Sequence, residues 1–277
     1  MALRINYNLA ASVAQRSLGA SQDNYAKQAE RLATGLRINK AGDDAAGMAV
    51  SERLKNQVRG LNQAARNAQD GISLIQTAEG AMGEAHTILA RMRELAIQAS
   101  NDTVTASDRT NLMTEFSSLY SEIDRIATST QFNGTAILTG GSTSLTLQVG
   151  ANYGNTISLN VTPSSGFQPT RLEATMSAMS IAYQSTASYS ITALDSAVNA
   201  VSTARASLGA MQSRLESAGR SIAVASENAA AANSRIADAD IAGSMSELVR
   251  AQILQQAGIS VLAQANQAPS LVLQLLK

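Results

Sequence analysis

Three long stretches of the chain repeat apolar residues at alternating steps of three and four, the spacing of a coiled-coil seam. The stretches run from Leu54 to Ala99, from Leu112 to Ile126 and from Ile191 to Ile236, and the first places Ala65 and Ile88 in its seam. Only 3 prolines occur in 277 residues, and none precedes Pro163. Each predicted helix can cover its seam only against the other two, so the pattern predicts a long helical bundle.

The break between the first two helices is short. Asn101 to Thr105 interrupts the pattern, and Thr105 with Asp108 three residues later predicts a capping box at the start of the second helix. A short connection returns the chain beside the helix it has just left. The second helix is therefore predicted to run antiparallel to the first.

The period changes from Gln131 onward. Asn133-Gly134 is a turn signal. Apolar residues then alternate with polar ones in two runs, 145–149 and 157–161, separated by a loop with two glycines. This pattern predicts one β-hairpin within residues 136–162, followed by an irregular return through Pro163 and Pro169.

The two ends of the chain differ from its middle. Residues 1–44 are polar and weakly patterned, whereas the C-terminal segment carries apolar residues on more than one face of a helical wheel. A helix that is apolar around much of its circumference must be buried, and residues 1–44 are too few to cover it. Other copies of the chain are predicted to cover a polymer interface formed by Leu248, Val249, Ile253, Leu254, Ile259, Val261 and Leu262.

These patterns predict a mainly α fold, a long antiparallel coiled-coil-like helical bundle with one small β-hairpin excursion. The predicted domains are an inner terminal-helix domain, residues 1–44 plus 235–277, and a helical spoke domain, residues 45–234. Gly71, Gly80 and Gly83 lie inside the first long helix. They match no phosphate-binding loop, and we expect them to mark close contacts between helices.

The amino-acid composition argues against several classes of function. The chain has 50 alanines but only 3 Phe, 6 Tyr and no Trp, which suits closely packed helices. Its 21 basic and 21 acidic residues give no field that would recruit nucleic acid. With no Cys and a single histidine, His86, the sequence offers no thiolate or histidine metal site, no cofactor site and no catalytic relay. We expect a protein that is not an enzyme, with His86 packed at the edge of a seam.

Neither end predicts a membrane or secretory segment. The first residues lack the continuous apolar stretch of a signal peptide. Residues 251–276 carry no charge but contain several Gln and Asn residues and Pro269, which argues against a membrane span.

Asp43 and Asp44 could hold a metal ion, but the favoured interpretation is that they cap and charge the start of the long helix.

Several specific stretches resemble the bacterial flagellins. In the N-terminal half these are RLATGLRI (31–38), NKAGDDAAG (39–47), ARNAQDGIS (65–73), QFNG (131–134) and LQVGAN (147–152). The C-terminal signature is similar to SRIADAD (234–240), RAQILQQAG (250–258) and VLAQANQ (261–267). Little sequence separates the two halves, so the resemblance implies a short flagellin that lacks the outer variable domains.

The resemblance implies a structural subunit that self-assembles into the helical flagellar filament and so serves motility. It also implies secretion, terminal helices that pair as an inner coiled coil, and a homopolymer outside the cell. The implied partners are the flagellar type III export apparatus, an export chaperone, and the filament cap and hook-junction proteins. Two alternatives stay open: a hook–filament junction protein, and a secreted helical adhesin or effector that does not polymerise.

Three residues match positions through which some flagellins contact Toll-like receptor 5. They are Arg91 and Leu95 on the first long helix and Glu115 on the second. An arginine offers a planar fork of hydrogen-bond donors at an interface, which suits such a contact. The alternative interpretation is that Arg91 and Glu115 are charges between subunits or on a solvated face.

Overall fold

The computed structural model describes residues 7–139, 144–160 and 179–275. The helices in these ranges are α1 Leu9–Thr34, α2 Ala45–Ala99, α3 Ala106–Ser129, α4 Gln184–Ala237 and α5 Ile241–Leu275. The strands are β1 Gln131–Phe132, β2 Thr135–Ala136, β3 Ser144–Gln148 and β4 Thr156–Asn160. The predicted mainly α fold with a small β excursion is confirmed.

The chain divides into two compact units. The terminal unit comprises the described residues of 1–56 and 228–277, and the bundle unit comprises those of 57–227. The predicted domain boundaries, 1–44 plus 235–277 against 45–234, concern the assembled filament and stay a prediction.

Seam residues of α2, α3 and α4 form the core of the bundle unit. On α4 every seventh residue is buried, and these positions are Leu194, Val201, Leu208, Leu215 and Ile222. On α2 the predicted seam is confirmed at most positions, with shifts of one residue: Ala64 is buried where Ala65 was expected, and Leu89 where Ile88 was expected. On α3 the buried residues are Phe116, Ile123 and Ala127.

The predicted capping box at the start of α3 is confirmed. Asp108 N–H donates to Thr105 Oγ1 at 3.3 Å, and Thr105 N–H donates to Asp108 Oδ2 at 3.2 Å. These two bonds satisfy amide groups that have no partner within the helix. They fix the point at which the chain enters α3 after the break that follows Ala99.

The β excursion consists of two short antiparallel pairs. β1 and β2 are joined by Asn133 and Gly134, whose φ angles are 49° and 76°. Positive φ at both positions fits a type I′ turn, whose backbone twist matches that of the flanking strands. β3 pairs with β4, with Leu145 opposite Leu159. The predicted hairpin is thus confirmed for 144–160, whereas Val161 and the return through Pro163 and Pro169 lie outside the described residues.

The helical glycines have different surroundings. A Cβ atom on Gly71 would overlap Leu147 Cδ1 of β3 and lie 3.2 Å from Leu215 Cδ1 of α4. The expectation of close contact is confirmed there. It is wrong for Gly80 and Gly83, where an added Cβ would meet nothing within 4 Å.

In the terminal unit, α1 packs along α5, as predicted for the terminal helices. No residue of α1 is buried. The connections that follow α1 and α4 pair as a short antiparallel bridge: Arg37 N–H donates to the Ala237 carbonyl at 2.7 Å, and Ala239 N–H donates to the Gly35 carbonyl at 2.9 Å. This bridge joins two parts of the chain that are remote in sequence.

Candidate assembly surface

The side of α5 that faces α1 carries two leucines among small and polar residues. The buried and half-buried positions of the helix follow steps of four and three: Ser244, Leu248, Ala251, Gln255, Gly258, Leu262 and Ala265. A Cβ on Gly258 would lie 3.4 Å from Leu18 Cδ1 of α1, in ordinary contact. The two helices therefore meet through a narrow seam that buries few large side chains.

Seven other large apolar side chains of α5 lie outside this seam. Each has about half of its surface exposed, from 46% for Val249 to 60% for Ile253. We call this set the outward surface of α5, and it consists of Ile241, Met245, Val249, Ile253, Leu254, Ile259 and Val261. Successive helical residues are rotated by about 100°. The outward surface consequently extends around more than one side of the helix.

The structure divides the seven predicted interface residues into two groups. Val249, Ile253, Leu254, Ile259 and Val261 belong to the outward surface. Leu248 and Leu262 are half-buried in the seam with α1. The first group is free for contact with other molecules, and the second group is already used within the chain.

Sequence reasoning missed two residues at the start of α5. Ile241 and Met245 extend the outward surface toward the N-terminal end of the helix. They precede Val249 at four-residue steps, and this spacing could have identified them. On α1, Leu9 and Val13 are exposed with the same spacing and add apolar area to the terminal unit.

Asn8 ties the start of α1 to α5. Its Oδ1 accepts the N–H of Ala11 at 3.1 Å, which makes Asn8 the N-cap of α1. Its Nδ2 donates to the Ala265 carbonyl of α5 at 2.8 Å. A single amide side chain thus satisfies one helix end and holds the partner helix, a role that the sequence did not reveal.

The two adjacent acidic residues before α2 have separate roles. Asp44 Oδ1 accepts the N–H of Gly47 at 2.8 Å, so Asp44 caps α2 as predicted. Asp43 instead binds Lys27 of α1 at 2.7 Å and accepts the N–H groups of Asn39 and Lys40. The hydrogen bond from Lys27 is the main reason that the pKa of Asp43 falls from 3.8 to about 2.

Arg91 and Glu115 lie together on the surface of the bundle unit. Arg91 Nε on α2 donates to Glu115 Oε1 on α3 at 2.9 Å, and Arg91 Nη1 donates to Glu94 at 3.0 Å. Hydrogen bonds to Glu94 and then Glu115 raise the pKa of Arg91. This ion pair within the chain was not predicted from the sequence. Leu95 is only 1% exposed and packs in the core, so its side chain is not on the same surface.

The described residues contain no group of three His, Cys, Asp or Glu side chains that could hold a metal ion. His86 is half-buried on α2, in agreement with a packed or edge position. Across the described part of the chain, helices with enough length and hydrophobicity to span a bilayer are absent.

Comparison with known proteins identifies relatives along most of the chain. The bacterial flagellin N-terminal helical region matches residues 5–143, and the bacterial flagellin C-terminal helical region matches residues 191–276. A flagellin from Halalkalibacterium halodurans is 49% identical over 273 residues, which is 99% of either chain. A flagellin from Bacillus subtilis is 41% identical over 304 aligned residues, covering 99% of this chain and 100% of that one.

A solved structure agrees with these relatives. The crystal structure of Bacillus cereus flagellin is 32% identical in sequence, with a TM-score of 0.50, and covers 57% of this chain and 88% of that one. The two matched helical regions leave only residues 144–190 between them, so no outer variable domain is present. On this evidence the chain belongs to the bacterial flagellin family, as a short member.

Proposed function

We propose that this chain is a structural, non-enzymatic subunit that builds the flagellar filament by packing the outward surface of α5 against other copies of itself. The observation that carries the proposal is the placement of the apolar residues. The seam of α5 with α1 uses small and polar residues together with Leu248 and Leu262, and seven other large apolar side chains are left exposed. An exposed apolar surface of this extent marks an interaction site.

Burial of this surface favours assembly. Full burial of a large apolar side chain is worth roughly 1.5–3 kcal/mol, so covering seven half-exposed ones supplies on the order of 5–10 kcal/mol per subunit. Because the surface extends around more than one side of α5, a single flat partner does not cover it. Several neighbours are required, and contacts that do not close into a ring generate a helical polymer.

Assembly also completes the stability of the terminal unit. Fixing the backbone of each residue costs roughly 1–2 kcal/mol. With no buried residue in α1, the isolated chain recovers little of this cost, and neighbouring copies recover the rest. We therefore expect α1 and α5 to exchange their amide hydrogens rapidly in the monomer and slowly in the filament.

Seeded assembly followed by electron microscopy tests the filament proposal. Wild-type protein is expected to form long filaments, and Ile253→Ser is expected to prevent their growth. Val224→Ser is the matched control, because Val224 is 57% exposed on α4 of the bundle unit. A monomer with ends protected from exchange and no seeded polymer would support the adhesin or effector alternative instead.

Copy number separates the filament subunit from the hook–filament junction alternative. Filaments purified from cells are expected to contain this chain along their whole length. A signal restricted to one end of the filament, detected by immunogold labelling, would favour the junction protein.

The proposal includes the partners of an exported subunit. The filament lies outside the cell, so the chain must pass the flagellar type III export apparatus, and an export chaperone would keep the outward surface of α5 covered before export. The filament cap and hook-junction proteins would contact the same surface at the two ends of the filament. Co-purification of each partner with wild-type protein and with Ile253→Ser tests this part.

Recognition by Toll-like receptor 5 is a second, separate proposal. Arg91 and Glu115 are about half exposed and lie on adjacent helices, where both can bind a partner. Leu95 would act only by holding α2 in place, since its side chain is buried. Monomeric Arg91→Asp is expected to signal more weakly than wild type in a receptor reporter assay. Equal signalling would refute the assignment.

A further inference from the structure

Met245 differs from the other methionines in the described residues by its exposure. It lies in the second turn of α5, and 48% of its surface is exposed. The remaining described methionines are either buried or half-buried: Met48, Met82, Met92, Met113, Met179 and Met211. A soluble oxidant therefore has more access to Met245 than to the other described methionines.

The surroundings of Met245 are apolar. Ile241 and Val249 are neighbours on the same side of α5, and both are about half exposed. The nearest charged residues along the helix, Glu247 and Arg250, pair with each other at 3.3 Å. A polar group placed on the Met245 side chain would therefore interrupt an otherwise apolar part of the outward surface.

We propose that Met245 is a redox modification site through which peroxides control the assembly of free subunits. The sulfur lone pair attacks one oxygen of hydrogen peroxide, the O–O bond breaks, and the second oxygen leaves as water after proton transfer. The sulfur loses two electrons and becomes a sulfoxide, which is polar and chiral. This inference rests on the proposed filament function, because it requires the outward surface of α5 to be the contact between copies.

Oxidation lowers the affinity between copies for a simple reason. The sulfoxide oxygen is a strong hydrogen-bond acceptor, and covering it with apolar side chains costs free energy that the thioether does not cost. The modification is reversible, because methionine sulfoxide reductases restore the thioether. Subunits already in a filament are protected, since their neighbours cover Met245.

Peptide mapping tests the modification itself. Monomer and filament are treated with hydrogen peroxide, digested and analysed by mass spectrometry. In the monomer we expect the peptide with Met245 to gain one oxygen about tenfold faster than those with Met82 and Met92, in line with their exposure. In the filament this difference is expected to disappear. Equal rates in the monomer would overturn the site assignment.

A matched variant tests the consequence for assembly. Met245→Leu removes the sulfur and keeps a side chain of similar volume. Each oxidised protein is compared with its own untreated sample. Oxidation is expected to impair seeding by the wild type and to leave seeding by Met245→Leu unchanged, because all other methionines are common to both. Seeding by the oxidised wild-type protein is expected to recover after treatment with a methionine sulfoxide reductase. Equal loss in both proteins, or no loss in either, would overturn the inference.

The untreated protein separates this inference from the proposed function. If untreated wild-type protein forms no polymer, the filament proposal fails, and the assembly consequence of oxidation fails with it. The peptide map is independent of assembly, and it decides the reactivity of Met245 in either case.

Discussion

The bundle unit and the terminal unit place their large apolar residues in opposite ways. In the bundle unit, Leu194, Leu208 and Leu215 of α4 point into a common core with α2 and α3 and are fully buried. In the terminal unit, the seam of α5 consists mainly of small and polar residues, with two leucines among them, and Ile253, Leu254 and their neighbours point outward. The bundle unit thus covers its large apolar residues within the chain, and the terminal unit leaves many of its own for the contacts between copies that we propose.

Truncation of one leucine in each unit should separate stability from assembly. Leu194→Ala creates a cavity in the bundle core and is expected to lower the free energy of unfolding by about 2–5 kcal/mol. Leu254→Ala removes an exposed side chain, and the monomer should lose less than about 0.5 kcal/mol while seeded polymerisation is impaired. Denaturant unfolding followed by circular dichroism measures the first effect. A large loss of monomer stability in Leu254→Ala would contradict the comparison.

Two glycines of α2 allow a finer test of packing within the bundle unit. Both Gly71→Ala and Gly80→Ala gain helix propensity, worth up to about 1 kcal/mol. Only Gly71→Ala places a methyl group against Leu147 and Leu215, so we expect it to be less stable than Gly80→Ala by about 1–3 kcal/mol. Thermal unfolding of the two variants measures this difference. Equal stability would show that β3 is not held close to α2 at this position.

Asn8 provides a test confined to the terminal unit. Asn8→Ala removes the cap of α1 and the bond to the Ala265 carbonyl, with an expected local cost of about 0.5–2 kcal/mol. Asn8→Asp retains the cap acceptor and loses only the donor to α5. Hydrogen exchange in the first turn of α1 should increase strongly in the first variant and weakly in the second. The bundle unit should be unaffected in both.

The smallest expected effect is a loss of stability in acid at Asp43. Its pKa is lowered from 3.8 to about 2 in the folded chain, so the Lys27 bond stabilises the fold fully above pH 4. This contribution is lost as the pH falls from about 4 to 2, because the unfolded chain takes up the proton first. Asp43→Asn should show a shallower decline of stability over this interval. An identical decline in both proteins would contradict the assigned role of Lys27.

The sequence was most informative where large side chains mark the buried face. The seams of α2, α3 and α4 were predictable because Leu, Ile and Phe recur at heptad spacing, as at Leu194 and Phe116. The shift from Ala65 to Ala64 was not predictable, because two adjacent alanines give the same hydrophobic signal. Local sequence likewise fixed the capping box at Thr105 and the turn at Asn133.

The sequence was least informative for α5, where polar residues and a glycine lie on the buried face of the helix. The seam of α5 contains Ser244, Gln255 and Gly258, so hydrophobic periodicity alone cannot locate it. The excess of apolar residues on α5 was visible in the sequence. Their division between the seam and the outward surface was not, and neither was the exposure of Met245. The ion pair of Arg91 with Glu115 depends on how α2 and α3 are aligned, which spacing along one helix does not specify.

The bridge between the connections after α1 and α4 sets an order of events during synthesis. Arg37 donates to the Ile236 carbonyl at 2.7 Å, although the two residues are 199 positions apart. A ribosome has to make nearly the whole polypeptide before the partner of Arg37 exists. The helix α1 therefore has no partner helix in its own chain until nearly all of the chain has been translated. Closing the long loop between Arg37 and Ile236 is also entropically costly.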